Sequence, residues 1–158
     1  MYVMVRLKFT FAIVTSALII ISCSKDEPDT TFEGTWLYSA SEKRNCSDTE
    51  KNSGKSNEFI FSTPCNSEAR FLCSYEKFVF NGTTYSRNSS STLFAIPISS
   101  NDRGDYTISV SSLTICKELS SGEQECKVME YSISGNTMSL AYKNAETGCL
   151  EINYYSKQ

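Results

Sequence analysis

The chain has 158 residues, of which 40% are hydrophobic and 21% charged, as expected for a single globular domain. Its net charge of -3 and its lack of a Lys- and Arg-rich stripe exclude a surface built to bind nucleic-acid phosphates. It has no histidine, which excludes Ser-His and Cys-His catalytic pairs and imidazole metal ligands. We therefore expect a non-enzymatic protein without a cofactor or a nucleic-acid partner.

Residues 1–22 have the pattern of a secretory signal peptide. Arg6 and Lys8 provide the positive segment, and the apolar stretch FTFAIVTSALIIIS follows at residues 9–22. This stretch is shorter than the roughly 20 apolar residues that span a bilayer. It leads into IISC at residues 20–23, which resembles the lipobox of bacterial lipoproteins. The resemblance implies that Cys23 becomes the acylated, palmitate-bearing N-terminus and holds the protein on a membrane; an ordinary cleaved signal is the alternative.

Residues 23–31 form an acidic tether. Its Lys25-Asp26-Glu27 resembles the export signal of Bacteroidetes-type lipoproteins, which implies an outer-membrane protein that faces the cell surface. A periplasm-facing protein is the alternative, because any unstructured tether is polar. Asp29-Thr30-Thr31 is similar to the O-glycosylation motif of such bacteria, which implies a glycan on the tether.

Six cysteines remain after the tether. An even number in an exported chain predicts three disulfides, and fifteen pairings are open to them. Because no C-x-x-C pair is present, we expect no metal site. Our working hypothesis takes one of the fifteen pairings, namely Cys116 with Cys126, Cys65 with Cys73, and Cys46 with Cys149.

Residues 32–158 show the two-residue period of β-strands and no sustained helical period. Strands are predicted at residues 59–61, 71–80 and 93–98. Pro97 lacks a backbone N–H, so the last of these is predicted to be an edge or bulged strand. Asn81-Gly82 predicts a tight hairpin turn.

Apolar residues occupy even-numbered positions at Ile108 and Val110 but odd-numbered positions at Leu113 and Ile115. We predict a bulge or bend at residues 111–112 that keeps both pairs inward. In the C-terminal third, strands alternate about residues 129–133, 138–142 and 150–154, with a turn at residues 135–136, which predicts a meander.

About eight short strands predict an all-β domain. The favoured architecture is a single small antiparallel up-and-down barrel, and a disulfide-bonded β-sandwich is the alternative.

The chain resembles the Bacteroidetes-type lipocalin-like lipoproteins at its two ends. The resemblance lies in GTW at residues 34–36, shortly after the lipobox, and in the ending ISGNTMSLAYK…GCLEINYYSKQ. In lipocalins the tryptophan of the Gly-x-Trp motif, here Gly34 and Trp36, closes the base of the barrel beneath a basic residue of the last strand, usually Arg. This chain has no Arg after Arg103, so Lys157 or Lys143 would take that role. The resemblance implies a lipocalin-like barrel over residues 32–158 that binds a small ligand.

Aromatic residues are the candidates for an apolar lining, with ordinary core packing as the alternative: Phe59, Phe61, Phe78, Phe80, Phe94, Tyr131 and Tyr142. Arg103-Gly104-Asp105 spells an adhesion tripeptide on an expected exposed turn, but three-residue matches are frequent by chance, and plain turn composition is the favoured explanation. A hydrolase would need paired carboxylates such as Glu130 and Glu151, but both are expected on solvated strand faces.

Two functional hypotheses follow. The first is a membrane-anchored binding protein for a small apolar ligand. The second is a surface interaction protein that uses the loops at residues 45–57 and 117–125 on a filled barrel to meet an unidentified partner. An unfilled interior would favour the first, and a solid core with an exposed patch would favour the second.

Overall fold

The computed structural model describes residues 31–65, 72–93 and 96–158, so the signal peptide and Cys23 lie outside the described residues. None of the helices within these ranges is long and apolar enough to cross a membrane. The described chain forms a short 3-10 helix at Thr49–Lys51 and nine strands: β1 (Gly34–Arg44), β2 (Ser53–Ser56), β3 (Leu72–Asn81), β4 (Thr84–Leu93), β5 (Ile96–Ile108), β6 (Ser112–Glu118), β7 (Gln124–Ser134), β8 (Thr137–Lys143) and β9 (Leu150–Lys157).

Eight of these strands close into an antiparallel barrel. β1 pairs with β3, each strand from β3 to β8 pairs with the next, and β9 returns to β1 with Tyr155 opposite Tyr38. β2 stands outside this ring and extends the edge of β1, with Ser56 opposite Ser41. The up-and-down barrel is confirmed and the sandwich alternative is wrong, because the last strand hydrogen-bonds to the first.

The predicted meander and both predicted hairpin turns are confirmed. β7, β8 and β9 pair in sequence order. Asn81 lies opposite Thr84, and Ser134 lies opposite Thr137, so each turn has two residues between paired positions. Each loop begins with a glycine at positive φ, Gly82 or Gly135, as tight hairpin turns that match the twist of antiparallel strands require, which is why these short motifs were informative.

Three disulfides join the six cysteines in the pairs expected from the sequence. Cys116 and Cys126 are directly opposite each other on β6 and β7. Cys65 is tied to Cys73 on β3 across a separation of 8 residues. The third bond, from Cys46 after β1 to Cys149 before β9, spans 103 residues.

The predicted strand at residues 59–61 is wrong. Ile60 makes only an isolated bridge to Ser74, and the side chain of Phe59 is exposed. The strand of this region is instead β2, inside the segment that was expected to be a loop. All four of its side chains are exposed, so β2 depends on backbone pairing with β1. Its sequence therefore shows no apolar alternation by which the strand could be predicted.

The predicted strand at residues 93–98 is also wrong, because the chain reverses there. β4 ends at Leu93, β5 begins at Ile96, and these two residues are paired. The prediction that Pro97 lies at the edge of the sheet is nevertheless confirmed. Among the described residues, Pro97 lies in a part of β5 that is paired on one side only, since β5 pairs with β4 over residues 96–105 but with β6 over residues 104–108.

Arg103-Gly104-Asp105 is not an exposed turn. The tripeptide lies inside β5, where Gly104 pairs with Tyr85 on one side and Lys117 on the other. A Cβ atom on Gly104 would come within 1.8 Å of the carbonyl oxygen of Cys116. Glycine is therefore required by the close approach of two strands.

The parity change after Ile108 reflects a chain reversal and not the predicted bulge within one strand. Ser109 donates its N–H to the carbonyl of Ser112 at 2.9 Å, which closes a turn between β5 and β6. Leu113 is fully buried, whereas Ile108 and Val110 are exposed. Serines on both sides of Val110 favour a turn. Val110 was counted as an inward strand residue because it is apolar, although it lies in this turn.

Candidate binding site inside the barrel

Trp36 closes one end of the barrel. Its side chain is fully buried, and its indole N–H donates to the carbonyl of Phe32 at 2.8 Å. The ammonium of Lys157, on the last strand, lies 5.5 Å from the ring centroid and also donates to the carbonyl of Thr31 at 2.9 Å. A Cβ on Gly34 would lie 3.3 Å from Cε of Lys157. We call this end of the barrel the closed end.

Of the two lysines considered for that role, Lys157 is therefore the one that covers Trp36. Lys143 is exposed at the opposite end of the barrel, where it pairs with Leu150. The position follows from the register, because the ladder between β1 and β9 places Lys157 directly opposite Trp36.

Above Trp36 the interior is packed with apolar and aromatic side chains. Phe78 and Phe80 are stacked with ring centroids 5.3 Å apart, and Phe80 meets Tyr106 edge-on at 5.0 Å. Aromatic contacts of this kind add to the burial of area. The buried cluster comprises Phe32, Trp36, Phe78, Phe80, Tyr85, Tyr106, Leu113, Met129, Met138, Leu140 and Tyr155.

The seven aromatic candidates for the lining divide into groups. Phe78 and Phe80 are core residues, as the alternative interpretation held, and Tyr131 and Tyr142 are half-buried against that core. Phe59 is exposed, so its assignment to the lining was wrong. Phe61 is half-buried on a segment that hydrogen-bonds to Ser74 of β3, and it lines neither of the two cavities described below. Phe94 lies outside the described residues.

Charged side chains replace apolar ones toward the other end of the barrel, which we call the mouth. Arg87 donates from Nε to Glu76 at 3.0 Å and from its terminal nitrogen to Asp102 at 3.1 Å. The hydroxyl of the fully buried Tyr155 donates to the other oxygen of Glu76. Burial and the negative charge of Glu76 raise the pKa of Tyr155, so its hydroxyl keeps its proton.

A second carboxylate is held inside the barrel by Tyr142. The hydroxyl of Tyr142 donates to Glu151 at 2.6 Å, and the amide of Asn144 donates to the same carboxylate at 3.0 Å. Burial alone would raise the pKa of Glu151, but these hydrogen bonds and Lys43 lower it. The expected solvated position of Glu151 is thus wrong, whereas Glu130 is exposed as expected.

Lys127 is an exposed residue that lines both cavities of the mouth, and among the described residues it is in no ion pair, unlike Arg87, Lys117 and Lys43. Its ammonium lies 3.7 Å from the ring centroid of Tyr142. Burial and the positive charge of Arg87 lower the pKa of Lys127. It is therefore the cation of the mouth whose ammonium is left for another anion or acceptor.

Two small cavities meet at Arg87, Ile115 and Lys127, and each has a volume of about 110 Å³. The deeper cavity has an apolar wall and a polar wall, and it is lined further by Glu76, Phe78, Met129, Leu140, Tyr142, Asn153 and Tyr155. The outer cavity is lined mostly by charged side chains, including Asp102, Lys117 and Glu125. This arrangement suits a small amphipathic molecule.

Arg87, Asp102 and Lys127 were not singled out from the sequence. β4 reads TYSRNSSSTL, in which Tyr85 is a buried aromatic residue followed by a run of polar residues, so the strand shows almost no apolar alternation. The usable signal was the spacing of Tyr85 and Arg87, since residues two apart on a strand share a face. A core-facing tyrosine therefore implies an inward arginine.

No protein-family model and no curated protein matches the chain. Within residues 31–65, 72–93 and 96–158, no group of three acidic, cysteine or histidine side chains is placed to hold a metal ion.

Proposed function

We propose that this chain is a membrane-anchored, non-enzymatic binding protein with a lipocalin-like barrel that takes a small ligand at its mouth. The observation that carries the proposal is the pair of adjoining cavities beside Lys127, above the buried cluster around Trp36 at the closed end. The cover of Lys157 over Trp36 supports the lipocalin-like assignment, because it provides the basic residue that the resemblance requires.

The lining refines the expected ligand. Phe78, Met129 and Leu140 offer an apolar wall, which fits the apolar ligand expected from the resemblance. Arg87 and Lys127 add cations beside it. An apolar cavity of about 150 Å³ holds benzene, so the ligand is about the size of a single ring that carries one anionic or hydrogen-bond-accepting group.

The ligand proposal is tested with benzoate, which combines one ring with one carboxylate. We expect saturable binding in a chemical-shift titration, because the carboxylate pairs with Lys127 while the ring meets the apolar wall. Lys127→Met should weaken benzoate binding at least fivefold and leave toluene binding unchanged. Lys143→Met is the matched control, since that lysine is exposed away from both cavities. Equal benzoate affinity in the Lys127 variant, or no binding by the wild type, would refute the proposed site.

The anchor supports a definite orientation. The tether enters the barrel at Thr31, which accepts a hydrogen bond from Lys157 at the closed end. Residues 23–31 span at most about 30 Å when extended. A lipidated Cys23 would therefore hold the closed end toward the outer membrane and leave the mouth facing away from it.

Replacing Cys23 with alanine is the test of the anchor. We expect the variant to lose incorporation of labelled palmitate and membrane association in a bacterial host, since the acylated sulfur is absent. Ser24→Ala should retain both, because it changes the tether without removing the thiol. Palmitate labelling that persists in the Cys23 variant would show that the anchor lies elsewhere.

One observation favours the second candidate, a surface interaction protein. Part of β5 has a hydrogen-bonding edge with no strand on it among the described residues. Such an edge is a common site for partner strands.

A further inference from the structure

β5 separates from β6 near the mouth. The two strands are paired from Ile108 opposite Leu113 to Gly104 opposite Lys117, and beyond that point β5 keeps only β4. Over residues 96–102 one edge of β5 therefore carries no strand within the part of the chain that the structure describes. β5 and β6 therefore part at Gly104, and we call this point the fork.

The hydrogen-bond pattern fixes which backbone groups occupy this free edge. Tyr106 donates its N–H to the carbonyl of Thr83, the residue just before β4, at 2.8 Å, and Ser109 donates to the carbonyl of Ser112, the first residue of β6, at 2.9 Å. Because residues of an antiparallel strand alternate between its two edges, even-numbered residues of β5 face β4 and odd-numbered residues face the free edge. The free edge thus presents the N–H groups of Ser99 and Asn101, while Pro97 contributes only a carbonyl and Arg103 lies next to the last β6 pairing.

Side chains on both faces of this edge are also open. Ile96 is 65% exposed and Ile98 is 55% exposed, and the alternation of the strand places both on one face. The opposite face borders a groove of about 530 Å³ at the fork, whose lining includes Arg103, Asp105 and Glu118. None of these three charges is in an ion pair with a described residue.

We propose that the free edge of β5 binds an extended peptide strand from another protein. The odd-numbered backbone groups would extend the sheet, as in other cases of β-strand addition. Aliphatic residues of the peptide would cover Ile96 and Ile98. A basic residue on the other face would meet the excess negative charge of Asp105 and Glu118 in the groove.

A second copy of this chain fits less well. Antiparallel pairing of two β5 strands reverses one barrel end for end relative to the other, so the two closed ends and their tethers would point in opposite directions. Two copies anchored in one membrane could not pair in this way, and this step rests on the proposed anchor. A peptide strand has no such restriction.

The first experiment is amide hydrogen exchange on the full chain in detergent. Without a partner, the amides of Ser99 and Asn101 should exchange at least tenfold faster than those of Ser100 and Asp102. Protection of the odd-numbered amides that grows with protein concentration would overturn the proposal in favour of self-association. Uniform protection that does not depend on concentration would overturn it by showing that the edge is already covered.

The second experiment selects binders from a displayed library of random nine-residue peptides against the same full chain. We expect enriched peptides to alternate aliphatic with polar residues, to carry one Lys or Arg, and to protect the amides of Ser99 and Asn101 from exchange. Asn101→Pro should weaken them at least tenfold, because it removes an N–H from the free edge; toward β4 it removes the side-chain hydrogen bond from Asn88 but no backbone N–H of the ladder. The thermal midpoint and circular dichroism of this variant verify its fold.

Two carboxyl variants distinguish a specific contact in the groove from a general effect of the protein's negative charge on peptide binding. Glu118→Gln should weaken the selected basic peptides at least threefold, whereas Glu130→Gln, an exposed carboxyl on β7, should not. Selected peptides that bind wild type and the Asn101 variant equally, or a library without enrichment, would overturn the proposal. Benzoate binding at Lys127 is independent of either result, so the two proposals can fail separately.

Discussion

Replacing Cys46 and Cys149 together with alanine is expected to lower the free energy of unfolding by about 4 to 5 kcal/mol. The bond spans 103 residues, so its loss frees the unfolded chain over nearly the whole barrel. It also lies beside β1 and β9, whose pairing closes the ring. Urea unfolding followed by the fluorescence of Trp36, the one tryptophan of the chain, measures the change.

The matched comparison is the pair Cys116→Ala and Cys126→Ala. These cysteines are 10 residues apart and face each other in a continuous ladder, so the bond closes a small loop. The expected loss is about 2.5 to 3 kcal/mol. Equal losses in the two double variants would contradict the argument from loop length and would indicate that packing around the buried Cys149 dominates.

The closed end could be predicted from the sequence because its strands have one apolar and one polar face. Met138 and Leu140 on β8 are buried at alternate positions, and a two-residue turn precedes them. The resemblance around Trp36 added the expectation of a basic cover, and the register of β9 provides it. Local alternation and turn chemistry carry enough information for this half of the barrel.

The mouth could not be predicted in the same way. There the inward and the outward faces of the strands both carry polar side chains, so the sequence shows no apolar alternation. Glu76, Arg87 and Asp102 satisfy one another across three neighbouring strands, and that agreement is visible only once the register is known. Apolar residues were correspondingly misleading. Val110 lies on a turn and Ile96 on an open edge, so neither marks the core.

Trp36→Ala is expected to lower the free energy of unfolding by about 3 to 5 kcal/mol. The indole is fully buried at the closed end, and its removal leaves a cavity beneath Lys157 and an unpaired carbonyl at Phe32. Urea unfolding followed by far-ultraviolet circular dichroism measures the change, since the variant lacks the fluorescent probe. Val110→Ala is the control, because that side chain is fully exposed and should change stability by less than about 0.5 kcal/mol.

Two further variants divide the effect of Trp36 among its contacts. Trp36→Phe keeps an aromatic ring but removes the N–H that Phe32 accepts, so about 1 to 3 kcal/mol should be lost. Lys157→Met keeps an apolar stem over the ring without the charge and should lose about 0.5 to 1 kcal/mol. If Trp36→Ala costs no more than Lys157→Met, the closed end is held by its strand ladder and turns, and the tryptophan is not its main support.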